Sequence, residues 1–125
     1  MTRYRKTGRA LTAGAALLGA LALSGPAHAA DVTSYVSSRG QVAARAVSYG
    51  ANGAVRVCDV QADGYGVAVR YYRRFGDPQT LSDFKGNGTC SETTDIQSNP
   101  IAIFTACVVI DSVDYCNSQY ADTGR

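Results

Sequence analysis

The chain has 125 residues, 46% of them hydrophobic, and a formal net charge of +2. That length holds one small domain with a modest core. Four of the twelve basic residues and none of the ten acidic ones fall in residues 1–29, so residues 30–125 carry a net charge of −2, which excludes the basic footprint of a nucleic-acid binder.

Residues 1–29 read as a secretory signal peptide. Arg3, Arg5, Lys6 and Arg9 precede an apolar run over residues 11–23, and Ala27-His28-Ala29 supplies the small-x-small cleavage signal. The run is shorter than the roughly 20 residues a membrane-spanning helix needs, so export with cleavage after Ala29 is expected rather than anchoring. Cleavage also removes the only histidine, His28, and the only methionine.

Residues 30–49 contain Val32, Tyr35, Val36, Arg39-Gly40, Arg45 and Val47 before the turn Gly50-Ala51-Asn52-Gly53. They read as an N-terminal arm with an edge strand, distinct from a sandwich domain over residues 50–125. Residues 54–62 alternate, with Val55 and Val57 on one face and Cys58 and Val60 on the other. After the Asp63-Gly64 turn, residues 65–75 form a long strand. Tyr65, Val67, Val69 and Tyr71 share one side of it, opposite Ala68, Arg70, Tyr72 and Arg74. Shorter strands are expected over residues 80–84 and 93–97. Residues 101–110 are apolar on both faces and therefore central, and a turn centred on Asp111-Ser112 leads into a strand over residues 115–120. No stretch of residues 30–125 has a capped helical period. The fold class predicted is an all-β, Ig-like sandwich of six or seven strands.

All four cysteines, Cys58, Cys90, Cys107 and Cys116, lie in the exported part, as expected for two disulfides in a small secreted domain. A turn at Asp111-Ser112 sets Cys107 opposite Cys116, which leaves Cys58 for Cys90. Without Cys-x-x-Cys or a histidine, zinc is disfavoured.

Catalytic machinery is hard to assemble. A chain without histidine after residue 29 cannot build a Ser-His-Asp or Cys-His centre. Asp59 and Asp63, or Asp111 and Asp114, are arithmetically a glycosidase pair or calcium ligands, but aspartate beside a turn is ordinary turn chemistry. The expectation is a non-enzyme without cofactor or metal. The densest polar cluster, Arg70-Tyr71-Tyr72-Arg73-Arg74, reads as a strand with Tyr71 in the core. Arg70, Tyr72 and Arg74 then form an outward face of the composition found at protein-contact hot spots. Small two-disulfide inhibitors of α-amylase present an aromatic–arginine patch too, although their Trp-Arg-Tyr is missing here.

Val55-Arg56-Val57-Cys58-Asp59, Ala62-Asp63-Gly64, Gly66-Val67-Ala68-Val69, Gly86-Asn87-Gly88 with Cys90, and the Cys107/Cys116 hairpin resemble small secreted actinobacterial β-sandwich proteins. Among these, the chain is similar to the adaptor subunits of umbrella toxin particles, secreted antibacterial assemblies. The resemblance implies a non-enzymatic link between a toxin-bearing stalk, gripped by the sandwich, and a trypsin-like lectin whose cleft takes the arm through Tyr35, Val36 and Arg39. The partners implied are other secreted proteins, with no nucleic acid and no membrane. The second reading is a secreted inhibitor of a hydrolase, a protease or amylase. Mass spectrometry of the exported protein is expected to show a chain that begins at residue 30 with no free thiol. A start other than residue 30 or 31, or a thiol that alkylates, would contradict the leader and the bridges respectively.

Overall fold

Period-two alternation becomes nine strands in the computed structural model, which describes residues 30–125; the leader lies outside the described residues. The strands are β1 (Val32–Ser38), β2 (Gln41–Tyr49), β3 (Ala54–Asp59), β4 (Gly66–Arg73), β5 (Gln79–Asp83), β6 (Cys90–Glu92), β7 (Ile101–Ile110), β8 (Val113–Cys116) and β9 (Ala121–Asp122). They form two antiparallel sheets packed face to face. The first has the order β1-β2-β3-β6 and the second β9-β7-β4-β5, with β8 also paired to β7.

The core lies between the sheets and is unequal in its contributions. The first sheet supplies Ala44, Ala46, Val55 and Val57; the second supplies Val67, Val69, Ala106 and the bulkier Tyr71, Ile101 and Phe104. Small residues facing large ones let the two layers close without voids. A bulge in β2 sets Val36 opposite Ala44 and Ser37 opposite Val42. The unmatched Ala43 is thereby buried beside Ala44.

Both expected bridges form, and their placement is informative. Cys58 faces Cys90 across β3 and β6, and Cys107 faces Cys116 across β7 and β8. Each joins neighbouring strands of one sheet, so neither bridge ties the sheets together. The β7–β8 turn has Asp111 and Ser112 at φ 53° and 66°, the left-handed pair that matches the twist of a two-residue hairpin.

Residues 30–49 hold the expected edge strand together with its partner. Residues 32–49 are a hairpin that supplies two of the four strands of the first sheet, closed by Arg39 and Gly40 at φ 56° and 78°. Its outer strand is held by more than β2. The Ser34 hydroxyl accepts the Ala106 N–H of β7 at 3.0 Å, and the Asn117 side-chain amide donates to the Tyr35 carbonyl at 2.8 Å. Partnered backbone and a buried serine tie this segment into the sandwich.

Other differences have local causes. Residues 93–97 are not a strand. Instead they wrap around Arg73, whose guanidinium donates to the carbonyls of Gly53, Asn99 and Thr94 at 2.9, 2.8 and 2.9 Å. The last expected strand stops at Cys116 because the Asn117 carboxamide oxygen accepts the Gln119 N–H and turns the chain; pairing resumes at β9. The strand read over residues 54–62 ends at Asp59, whose carboxylate accepts the Gln61 N–H at 3.2 Å. Replacing Ser34→Ala strands the buried Ala106 N–H and is expected to cost about 1–3 kcal/mol. Deleting residues 30–40 should lower the melting temperature sharply. A deletion that melts like the parent chain would restore the arm.

Candidate interaction surfaces

Side-chain alternation sorts the predicted contact residues onto two faces. Tyr35 points away from the core on β1, opposite Arg45 of β2, and is 49% exposed. Val36, partly buried, packs against the core cluster from the opposite side of the strand. The outer face of the first sheet continues through a cluster that sequence reasoning missed. The Arg56 guanidinium lies 4.5 Å from the centre of the Tyr49 ring and 3.7 Å from Glu92, and the Tyr49 hydroxyl donates to Glu92. Desolvation and this bond push the Tyr49 hydroxyl up. The bond and the Arg56 charge hold the Glu92 carboxyl below its ordinary value, against a smaller desolvation effect. Only cross-strand register could have grouped the three, because 43 positions separate Tyr49 from Glu92.

Arg70 and Tyr72 project from the other sheet. Val67, Val69 and Tyr71 of β4 enter the core, so Ala68, Arg70 and Tyr72 face outward. Ala68 packs there with Cys107, Val109 and Cys116 in a second apolar cluster. Arg70 pairs with Asp114 at 3.3 Å, and Tyr72 meets Tyr120 edge to face with ring centres 5.9 Å apart. The register shifts between Tyr72 and Arg73. Arg74 therefore falls past the end of β4, exposed, with its N–H donated to the Pro100 carbonyl. Arg39 sits apart from both faces at the hairpin tip, where its guanidinium donates to the Tyr65 hydroxyl at 3.0 Å and lies 5.2 Å from that ring.

Of the aspartates considered for chemistry, Asp59 and Asp63 hold turns and Asp114 pairs with Arg70; Asp83, outside that set, also holds a turn. Asp59, Asp63 and Asp83 accept the N–H two residues onward, from Gln61, Tyr65 and Lys85. Asp83 is buried yet well supplied. Burial would raise its carboxyl, but the Lys85 N–H, the Thr89 hydroxyl, the Lys85 ammonium and the Ser91 hydroxyl together hold it below the usual range. Its bond from Ser91 also links β5 to β6, one strand from each sheet. Asp59 is the opposite case. Desolvation, with the nearby Asp63 and Asp83 charges, raises its carboxyl despite the Gln61 N–H.

Comparison with protein-family models, curated proteins and solved structures returns no match.

The two buried aspartates set opposite pH dependences. Asp83, lowered by folding, contributes stability that is complete above the unfolded value of about 3.9 and is lost as pH falls through its lower folded value. Asp59, raised by folding, weakens the fold once it ionises, an effect relieved as pH falls through its raised value. Asp83→Asn should therefore destabilise by about 1–3 kcal/mol at neutral pH, with the deficit shrinking in acid. Asp59→Asn, which keeps the Gln61 bond, should be neutral or stabilising at neutral pH. Urea midpoints measured from pH 7 down to pH 2.5 check both signs; equal effects of the two substitutions would refute the assignment.

Proposed function

We propose that the protein is a secreted, non-enzymatic adaptor built on an Ig-like sandwich, which holds a different protein partner on each of its two outer faces. One observation carries this reading. Tyr35, Arg45, Tyr49 and Arg56 lie on the outer face of the first sheet, and Arg70 and Tyr72 on that of the second. Two aromatic–arginine surfaces on opposite sides of one domain can be covered at once without collision. Tyrosine and arginine are the residues that most often anchor such contacts, because each combines apolar area with directed hydrogen bonding. Strand pairs locked by bridges keep the surfaces rigid, which limits the entropy lost on docking.

The resemblance to umbrella-particle adaptors gives the partners a form: a toxin-bearing stalk on one side and a trypsin-like lectin on the other. In that assembly a hairpin, in place of a loose arm, meets the lectin, and Arg39 at its tip is the basic residue a trypsin-like cleft would encounter. An inhibitor of a hydrolase would instead use one surface and form a binary complex.

Pull-down from culture supernatant with mass spectrometry separates these readings. The adaptor is expected to capture two different proteins. Tyr35→Ala with Arg45→Ala should lose one of them, and Arg70→Ala with Tyr72→Ala the other. Both pairs are surface changes, and the Arg70–Asp114 pair is worth no more than about 1 kcal/mol, so folding should survive. Loss of one and the same partner from both variants, or a single captured hydrolase whose activity is blocked, would overturn the proposal.

A further inference from the structure

Phe84, immediately after β5, is 69% exposed, and its ring lies on the backbone of β4 at Gly66. A Cβ built on Gly66 would stand 2.1 Å from Phe84 Cδ1, so the missing side chain is what lets the ring come this close. The rest of the ring is largely open to solvent. With Tyr65, Gly64 and Gly66, the ring contributes to two depressions at this end of the sandwich, of about 500 and 550 Å³. Each is large enough for a bound group.

The first depression is completed by Val109, Asp111, Ser112 and Asp114. Its wall carries two carboxylates and no basic side chain. Asp114 is shared with Arg70. Among the described residues the ion pairs are Arg56–Glu92, Arg70–Asp114 and Lys85–Asp83, so Asp111 has no cationic partner. An exposed aromatic ring beside an unpaired carboxylate favours a flat cation, because guanidinium stacks on a ring while its N–H groups fork onto carboxylate oxygens. The same end of the molecule already holds one such contact within the chain, Arg39 on Tyr65.

We infer that the depression between Phe84 and the Asp111-Ser112 turn is a docking site for an arginine side chain presented by a partner protein. The guanidinium lies on the exposed ring of Phe84 and donates to Asp111. Phe84 and Asp111, which carry the contact, lie outside the two faces described above, although Val109 and Asp114 of the lining border the second; the inference stands whether or not the adaptor reading holds.

The test is an amide-resolved NMR titration of the disulfide-intact protein with acetyl-Gly-Arg-Gly-amide. The lysine and glutamine counterparts and N-acetylglucosamine serve as further arms. Saturable shifts at Gly64, Gly66, Phe84 and Ser112 are expected with the arginine peptide, with a dissociation constant on the order of 1 mM. The lysine peptide should bind more weakly, the glutamine peptide and the sugar should leave those amides unmoved, and added salt should weaken the arginine complex. Asp111→Asn keeps the left-handed turn, since asparagine tolerates positive φ, and should weaken binding about tenfold. Phe84→Ala should do the same without loss of stability, and Asp77→Asn at the opposite end should change nothing. No saturable shift, shifts centred elsewhere, equal binding by the glutamine peptide or the sugar, or undiminished binding by Asp111→Asn would each overturn the inference.

Discussion

Phe104, Ile101 and Tyr71 of one sheet press on Ala44, Ala46, Val55 and Val57 of the other, and that contact is what makes two ribbons into a domain. The bridges cannot substitute for it, because each lies within a sheet. Their contribution is to restrict the unfolded chain, over separations of 32 and 9 residues, by about 2–4 kcal/mol apiece. Strand β7 is the hub of the arrangement. It pairs with β4 along its length, with β8 at one end and β9 at the other, and in the gap between those two it donates a backbone N–H to Ser34 of the opposite sheet. A strand partnered in so many directions has to be apolar on both faces, as residues 101–110 are.

That property made β7 legible in the sequence, where its bounds agree with the expectation to the residue. The Asp111-Ser112 turn was legible for a related reason: a two-residue connection fixes register, and register aligned Cys107 with Cys116. The β1–β2 hairpin was harder to read. Besides the partly buried Val32 and Val36 at its edge, its inward positions are Ser34, Ala44, Ala46 and Ser48, small or polar residues that weaken the hydrophobic alternation although three of the four are fully buried and Ser34 nearly so. They suit a layer that must accommodate the large residues of the facing sheet. Residues 93–97 misled in the opposite sense, since Thr93 and Ile96 look strand-like while the backbone there is taken up by Arg73 and Gly53.

The surface was less legible than the core because its organisation is cross-strand. Arg70 and Tyr72 could be placed on one side of a strand by parity alone, and they are. Their partners Asp114 and Tyr120 come from 44 and 48 positions away, and no local pattern announces them. Phe84 is a sharper case. An isolated aromatic after a short strand carries no signal, and its significance arises from a glycine opposite it on another strand. The surface chemistry of a small sandwich is thus written in pairs of residues that only the sheet register brings together.

The three carbonyls gathered by Arg73 bear on how freely this chain can vary. Gly53, Thr94 and Asn99 each contribute a backbone oxygen to the guanidinium, so what the clamp requires of the loops is a path and not particular side chains. Thr94 can therefore vary without loss to the clamp, whereas Thr93 and Asn99 are held by side-chain bonds of their own, to the Val55 N–H and to the Phe75 backbone. Arg73 itself has no such latitude: a lysine offers one compact ammonium where three separate acceptors need a planar fork. An arginine that reads loop backbone at three points lets the outline of this end of the sandwich depend on side chains the clamp does not touch, while the β4 strand beneath it stays fixed.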